Sequence, residues 1–363
     1  MPKSLIYDRW LFITTGLLVL GGLFMVGSAS NFFAMNSGLD PSAFWWKQSL
    51  HVLLGFGALI AGISVPYRRL GERSIVGFLI LGCFVLLVLV LTMPEIAGTH
   101  RWIPLGPFKL QPSELAKLAI VVFMAYMLSR KEEQVNDFTS VLLPCLMTVG
   151  ASAFLVVIEP DLGSGAMLVM VASVMLFAAG LRWSYVASFS MLAAVGFVAS
   201  VLAKPYRIER IRAFLDPTLE PLGSSFQLNQ SLIAIGSGGL TGAGLGHSTL
   251  KAYYLPAAHT DFIFSVVGEE LGMAGCGLLL AGFLVLYWRG MRAAVRAPDR
   301  FGFYLALGLT HLLVLQALIN MCVCLGLVPT KGMPLPFISY GGSSLLASML
   351  AMGLLLNVSK YSN

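Results

Sequence analysis

The chain has 363 residues, of which 57% are hydrophobic and only 11% are charged, and its mean hydropathy is +0.84. Soluble domains carry roughly one-quarter charged residues, so this composition excludes an ordinary soluble enzyme and indicates an integral membrane protein. Its apolar runs of about 17–25 residues are long enough for a ~30 Å hydrocarbon core, which favours transmembrane helices over the short strands of an outer-membrane barrel. The formal net charge of +6 fits anionic lipids, phosphates or cation-rich cytoplasmic loops, and we predict no nucleic-acid partner.

Residue types that bind metals show no recognisable spacing. The five cysteines lie in or beside apolar runs without a CxxC pair, which is typical of packing residues. The five histidines are scattered and form no HExxH arrangement. We therefore predict neither a disulfide framework nor a zinc site built from protein ligands alone.

The first apolar run follows MPKSLIYDRW and extends to about Val26, a pattern shared by signal peptides and first transmembrane helices. The run is long for a signal peptide and further spans follow it, so we assign it to the first of about ten helices. The others are predicted at about 45–65, 74–93, 111–129, 139–158, 164–181, 184–203, 261–287, 302–325 and 340–358. The predicted fold is an all-α integral membrane protein, a single polytopic domain over residues 1–363.

Lysines and arginines in the short loops set the predicted orientation. With the N-terminus inside, they lie close to the cytoplasmic ends of the spans, and both termini are cytoplasmic. The opposite face holds Pro94–Leu110, Glu159–Asp161, the long extracytoplasmic loop at about 204–260 between helices 7 and 8, and Gly326–Ser339. The residues suited to chemistry gather on this face.

An acidic residue stands at a predicted membrane entrance in LPAAHTDFIFSVVGEE, residues 255–270, where a polar turn leads into an apolar segment. A carboxylate at the mouth of a hydrocarbon-spanning helix is costly, so such residues line polar cavities, pair with cations or do chemistry. We take Asp261 as the centre of a candidate active site.

The stretch GTHRWIPLGPFKLQPSELAK, residues 98–117, leads into a helix that is predicted to start near Pro112. Glu114 and Lys117 are three residues apart and share one face of this helix. They form either a buried ion pair that locks the helix to a neighbour or the wall of a polar cavity, in which Arg101 and Lys117 are available to phosphate oxygens. The sequence leaves both interpretations open.

Two shorter features also have two interpretations each. Glu159-Pro160-Asp161 breaks the helical pattern with two carboxylates, which either bind a divalent cation or cap the next helix, and we favour capping. The stretch KPYRIERIRAFLDP, residues 204–217, alternates apolar residues with arginines, as an amphipathic interfacial helix does. Its arginines, among them Arg210 and Arg212, either reach lipid headgroups or hold a pyrophosphate.

Two loop-rich stretches complete this face. Residues 224–248, SSFQLNQSLIAIGSGGLTGAGLGHS, lack nucleotide-binding glycine motifs and are predicted to form a re-entrant or surface helix followed by a flexible turn. Residues 326–344, GLVPTKGMPLPFISYGGSS, carry three prolines. Non-helical backbone survives at membrane depth only where it is buried in protein or lines a polar cavity, so this second loop is predicted to be part of the cavity roof.

Five of these stretches together resemble the motifs of the SEDS family of bacterial peptidoglycan polymerases: RWIPLGPFKLQPSELAK, EPDLGSG, RIRAFLDP, YYLPAAHTDFIFSVVGEELG and GLVPTKGMPLPFISYGGSS. The resemblance spans nearly the whole chain, and the Thr330-Lys331-Gly332 run is more similar to the division-associated branch than to the elongation-associated one. It implies ten transmembrane helices and glycan-chain extension from lipid II on the extracytoplasmic face of the bacterial inner membrane. It further implies a class B penicillin-binding protein and other division proteins as partners at the septum. It marks Asp261 as essential and places Glu114, Lys117 and Arg101 in a polar cavity.

Glycosyl transfer between two lipid-linked disaccharides needs a base for the attacking hydroxyl and cations for the developing pyrophosphate charge. Asp261 is the candidate base. The candidate substrate-binding residues are Glu114, Lys117, Arg101, Arg210 and Arg212. A divalent cation, Mg²⁺ or Mn²⁺, held partly by phosphate remains open. The alternatives are a lipid II flippase or transporter, in which these charges would act as gates, and a non-catalytic division scaffold.

Overall fold

A computed structural model describes residues 7–36, 40, 42–96, 99–106, 108–202, 205–216, 225–246, 259–330 and 332–362. Of the long loop predicted at about 204–260, it therefore covers three parts, 205–216, 225–246 and 259–260. Lys204, Lys331 and the remainder of that loop lie outside the described residues.

The described chain is almost entirely helical. In chain order the helices are α1 (Arg9–Asn36), α2 (Ala43–Ser64), α3 (Tyr67–Leu70), α4 (Arg73–Val90), α5 (Pro112–Lys131), α6 (Leu143–Ile158), α7 (Leu162–Ala178), α8 (Trp183–Leu202), α9 (Pro205–Leu215), α10 (Phe226–Ser237), α11 (Ile263–Val295), α12 (Arg300–Cys324) and α13 (Gly342–Tyr361). A π-helical turn, Phe138–Leu142, leads into α6. The stretch before α5, predicted as a compact turn, forms a short antiparallel hairpin of β1 (Ile103–Leu105) and β2 (Phe108–Leu110), with Ile103 opposite Leu110.

Each of the ten predicted membrane helices coincides with an observed helix. Within the described residues, eight helices are long and apolar enough to cross a membrane. α2 and α7 are not among the eight, and α7 has only 17 residues. The all-α membrane fold is confirmed, and the count of ten spans remains a prediction.

The interior of the bundle is formed by α5, α12 and α13, whose most apolar windows are 72%, 72% and 83% buried, against 7% for α8. Peripheral helices expose large apolar side chains, such as Phe78 and Leu278, as lipid-facing surfaces do. α13 packs along α2 so closely that a Cβ placed at Gly353 would lie 2.3 Å from the carbonyl oxygen of Leu59. Such small-residue contacts let membrane helices approach each other, and the rigid interior fixes the helix ends at which the candidate site lies.

α11 is broken at Gly272, whose φ is +66°. A break exposes backbone groups that need new partners at membrane depth. The glycine-rich residues 238–244, here called the splice loop, provide them. Two of its amides donate to the carbonyl oxygens of Glu269 and Glu270 at 2.9 and 3.0 Å, and two of its carbonyl oxygens accept from amides after the break at 2.9 and 3.1 Å.

The splice loop requires glycines for two reasons: its backbone lies very close to that of α11, and part of it has a positive φ. A Cβ placed at Gly238 would lie 1.9 Å from the carbonyl oxygen of Gly268, and one at Gly242 would lie 2.1 Å from that of Glu270. Gly242 also has a φ of +81°, which side chains disfavour. The predicted helix before this loop is present as α10, but the prediction of a flexible turn is wrong, because the loop is hydrogen-bonded into the break of α11.

Candidate active site

The polar residues of the sequence motifs meet at one end of the bundle. α5 and α12 run antiparallel: Lys117 near the start of α5 contacts Gln316 near the end of α12, while Glu132, just after α5, pairs with Arg300 at the start of α12. Asp261 lies two residues before α11, at the end that holds Lys117 and Gln316. The motifs that carry the polar residues are far apart in sequence, and the packing of the interior helices brings them together.

Asp261 is fixed through its main chain, while its side chain stays available. Asn320 donates from Nδ2 to the carbonyl oxygens of Asp261 and Met333, both at 2.7 Å. Gly332 lies against the carboxylate, since a Cβ placed there would be 3.1 Å from Oδ2 of Asp261. Among the described residues, no donor makes a hydrogen bond to this carboxylate, which is only partly exposed. A positioned but unbonded carboxylate is suited to accept a proton or bind a cation.

The surroundings of Asp261 make it a stronger base than an ordinary aspartate. Burial among protein atoms and the negative charge of Asp161 raise its pKa to about 6, against the opposing effect of Arg101 and Arg210. Asp261 is therefore mostly ionised at neutral pH, with a basicity closer to the operating pH than that of a solvated aspartate.

The loop from 332 to 340 is bonded to the turn that carries Asp261. Tyr340 donates from its backbone N to the carbonyl oxygen of His259 at 2.9 Å, and Ser339 donates from Oγ to that of Thr260 at 2.6 Å. The His259 ring packs against Phe44 and Tyr340, with centroids 5.3 and 5.5 Å apart, and burial lowers its pKa. His259 is therefore a neutral group that packs against aromatic rings. The loop predicted to be part of the cavity roof lies beside Asp261.

Arg101 is held against the turn between α6 and α7. Its Nε donates to the carbonyl oxygen of Glu159 at 3.0 Å, and Nη2 donates to that of Pro160. The guanidinium charge therefore stays beside the carboxylates of this turn and acts on Asp261 as well. Its remaining donors are available to an anion.

Asp161 caps α7, as we favoured for this turn. It accepts from the backbone N of Ser164 at 3.0 Å and from Nε2 of Gln111 at 3.1 Å. A Cβ placed at Gly163 would lie 2.9 Å from Cγ of Met333, so this turn also contacts the loop that lies against Asp261. Asp161 therefore has a structural role and also supplies negative charge to the site.

Glu159 was grouped with Asp161 in the sequence, but its environment is different. It is fully buried, and neither carboxylate oxygen has a hydrogen-bond partner among the described residues. Burial, followed by the negative charge of Asp161, raises its pKa to about 8 against the effect of Arg101. Glu159 is thus mostly neutral at pH 7, which lowers the negative charge beside Asp261.

Glu114 and Lys117 form a buried ion pair. Lys117 donates from Nζ to Oε1 of Glu114 at 2.9 Å and to Oε1 of Gln316 at 2.7 Å, and both charged side chains are about 4% exposed. Gln316 donates in turn to the carbonyl oxygen of Pro334 at 3.0 Å. The ion-pair interpretation is therefore realised, and the pair is linked to the loop beside Asp261.

Of the two arginines predicted on the amphipathic stretch, only Arg210 has a described link to Asp261. The stretch is helical as predicted, as α9. Arg210 donates to the carbonyl oxygen of Thr330 at 3.4 Å, and its charge acts on Asp261. Arg212 is exposed, and no described contact joins it to Asp261.

A divalent cation would find few protein ligands at this site. Within the described ranges, no group of three or more His, Cys, Asp or Glu residues is arranged to hold a metal ion. Mg²⁺ commonly binds through one or two carboxylates plus substrate phosphates, which fits Asp261 with Asp161. Both oxygens of Asp161 already accept hydrogen bonds. Asp261 is therefore the carboxylate that can bind a cation without giving up a hydrogen bond.

Comparisons with known proteins bear on what this site does. The family model for cell cycle proteins that groups FtsW, RodA and SpoVE matches residues 8–363. The chain belongs to this family. The membership that the five motifs indicated is thereby confirmed.

The similarity to individual members extends over nearly the whole chain. Stage V sporulation protein E of Bacillus subtilis is 43% identical, over 98% of this chain and 97% of the relative. A probable peptidoglycan glycosyltransferase FtsW of Geobacter sp. (strain M18) is 42% identical, over 97% and 96%. A chain of a solved peptidoglycan synthase complex, described as coordinating polymerization and crosslinking, superposes with a TM-score of 0.80 at 31% identity and covers 98% of both chains.

Proposed function

We propose that this chain is a peptidoglycan glycosyltransferase that polymerises lipid II into glycan strands at the extracytoplasmic face of the membrane. The observation that carries the proposal is Asp261, a positioned, unbonded carboxylate with a raised pKa, at the polar end of an apolar bundle. Family membership and relatives named as glycosyltransferases support it.

In this function Asp261 accepts the proton of the attacking 4-hydroxyl as that oxygen bonds to the anomeric carbon of the second lipid II molecule. The bond from that carbon to undecaprenyl pyrophosphate breaks, and the electron pair leaves with the pyrophosphate. Asp261 suits the first task because its main chain is fixed and its pKa is about 6.

The leaving pyrophosphate develops negative charge and needs fixed cations. Arg101 is held at the α6–α7 turn with donors to spare, and Arg210 is exposed beside the site. Lys117 uses two of its three donors within the protein, so it holds the pocket in shape with Glu114 and has one donor left for substrate. Arg212 would meet the substrate only at the outer rim. A Mg²⁺ or Mn²⁺ ion, held by Asp261 and by substrate phosphate, would add charge neutralisation for the leaving group.

We place the site end of the bundle outside the bacterial inner membrane and both termini in the cytoplasm, because the short-loop cations gather at the other end. Lys109 is exposed in the hairpin before α5, at the site end, and Glu133 is exposed after α5, at the opposite end. In a cysteine-free background, an impermeant thiol reagent should label Lys109→Cys in intact spheroplasts and Glu133→Cys only after permeabilisation. The reverse pattern would overturn this orientation.

The partner that we propose is a class B penicillin-binding protein, with other division proteins, at the septum. A TM-score of 0.80 to a chain of a peptidoglycan synthase complex supports a surface compatible with such an assembly. The similarity to a stage V sporulation protein of Bacillus subtilis makes sporulation a second setting for the same chemistry.

The direct test is polymerisation of labelled lipid II by the purified chain, with and without the partner. Glycan polymer that depends on this chain supports the proposal. A flippase would instead move lipid II across proteoliposomes and yield no polymer, and a scaffold would do neither while still binding its partner.

A further inference from the structure

A cleft lined by arginines opens at the end of the bundle opposite Asp261. It lies between the α3–α4 turn, the last turn of α5 and the first turn of α12. Its lining consists of Arg68, Gly71, Ser129, Arg130, Asp299, Arg300 and Phe301. At 1.5 Å per residue, α5 separates it from the candidate active site by about 30 Å, so the two are distinct.

The cleft carries an excess of positive charge. Three arginines line it against a single carboxylate, that of Asp299. This carboxylate is already engaged, because it accepts from the Tyr67 hydroxyl at 2.6 Å, from Nε of Arg68 at 3.0 Å and from the backbone N of Gly302 at 2.8 Å. Asp299 therefore caps α12 and offsets the charge of Arg68, and Glu132 beside the cleft offsets that of Arg300, which leaves a net formal charge of +1.

Arg130 is the cation of the cleft that forms no ion pair among the described residues. Its guanidinium lies over the Tyr126 ring, 4.9 Å from the ring centroid, and is exposed. Arg300, in contrast, pairs with Glu132 at 3.0 Å. An arginine that is oriented by an aromatic ring and keeps its donors open is suited to bind phosphate oxygens.

The rest of the cleft is tightly packed and also favours binding of an anion such as phosphate. Phe301 stacks on Tyr67, with centroids 6.4 Å apart and planes 9° apart, and a Cβ placed at Gly71 would lie 3.3 Å from this ring. α12 has 25 residues and begins at Arg300, so its positive dipole end lies at the cleft.

The position of the cleft indicates where the phosphate comes from. It lies at the charged ends of α4, α5 and α12, where the apolar bundle meets water. Phe78 and Leu81, one to two turns into α4, are 75% and 65% exposed and provide apolar surface beyond the cleft. We propose that the cleft binds a phosphate group, that of an anionic lipid headgroup whose chains lie along α4 or that of a free phosphate.

The test is direct binding by the purified full-length protein, so it does not depend on the proposed enzymatic function. Phosphatidylglycerol, phosphatidylcholine and inorganic phosphate are titrated and followed by native mass spectrometry, with Arg130→Gln as the variant. Arg296→Gln is the matched control, because Arg296 is exposed at the same end of the bundle but does not line the cleft.

We expect preference for phosphatidylglycerol over phosphatidylcholine, weakened about fivefold by Arg130→Gln and unchanged by Arg296→Gln, as expected for loss of one cation at a membrane surface. Displacement of the lipid by millimolar inorganic phosphate would assign the site to free phosphate, and its absence would assign it to the lipid headgroup. The proposal would be overturned if neither phosphatidylglycerol nor inorganic phosphate bound, or if both variants weakened lipid binding equally. A thermal melt of each variant confirms that folding is intact.

Discussion

Asn320 joins Asp261 to the loop beside it through a single side-chain nitrogen. From α12, Nδ2 donates to the carbonyl oxygens of Asp261 and Met333, each at 2.7 Å. These two carbonyl groups belong to segments more than 70 residues apart in sequence, and Gly332, next to Met333, lies against the carboxylate of Asp261. Asn320 is therefore a positioning residue for the candidate base.

Replacement of Asn320 tests that role. Asn320→Ala leaves the carbonyl oxygen of Met333 without its donor, at a cost of about 1–3 kcal/mol, and leaves that of Asp261 with only the weak thiol donor of Cys324, which loosens the Asp261 turn. We expect a lower melting temperature and polymerisation that falls more than lipid II binding does. Asn357→Ala is the control, because Asn357 is also a buried asparagine that donates to a main-chain carbonyl oxygen, that of Ile63, but it lies at the opposite end of the bundle from Asp261. Equal polymerisation by the Asn320→Ala variant and the wild type would exclude the positioning role.

The buried pair of Glu114 and Lys117 predicts strong coupling between the two residues. Removal of one partner strands a buried charge, which costs about 3–5 kcal/mol, whereas removal of both leaves no charge unpaired. Glu114→Gln and Lys117→Met should each lower stability severely, and the double variant should recover part of the loss. Chemical or thermal unfolding of the four proteins in detergent measures this cycle. Additive losses would mean that the pair is not a unit.

The membrane helices could be predicted from the sequence because span length and hydropathy are local properties. Asp261 could also be predicted, because a polar turn that enters an apolar run is visible in one short stretch. Gln316 and Asn320 were missed, since each is an isolated polar residue in an apolar helix and its importance depends on partners distant in sequence. Only the three-dimensional packing brings those partners together.

The splice loop was misjudged for a related reason. Glycines in a row favour flexibility unless another segment approaches their backbone, and that segment lies in α11, some 30 residues further along the chain. Glu159 also appeared equivalent to Asp161 in sequence, although one is buried without a partner and the other caps a helix.

The splice loop can be tested with two glycines that share a backbone conformation. Gly242 and Gly246 have φ values of +81° and +84°, but a Cβ at Gly242 would lie 2.1 Å from the carbonyl oxygen of Glu270, while one at Gly246 meets nothing within 4 Å. Both alanine variants bear the left-handed penalty of about 1–2 kcal/mol. Only Gly242→Ala adds the clash, so it should destabilise the protein much more, as measured by melting temperature. Similar melting temperatures for the two variants would contradict the close approach.

The raised pKa of Glu159 predicts how the stability of the folded chain depends on pH. Its pKa is about 8 in the folded chain and near 4.5 as an ordinary value, so between these values the folded state holds a proton that the unfolded state has released. Stability should therefore fall as pH rises from about 4.5 to 8. Glu159→Gln removes this contribution, and its melting temperature should fall less over that range than the wild type's. If the melting temperatures of the two proteins changed with pH in the same way, Glu159 would not be a buried neutral acid.

Polymerisation of lipid II by purified Asp261→Asn tests directly whether Asp261 is the base of a glycosyl transfer. Asparagine keeps the size of the side chain but has neither charge nor basicity, so folding and lipid II binding should persist. Polymerisation should fall by about 10²–10⁴-fold, and the wild-type rate should decrease as pH drops through about 6. Asp40→Asn, on an exposed turn, should behave as the wild type. Robust polymerisation by Asp261→Asn would exclude Asp261 as the base.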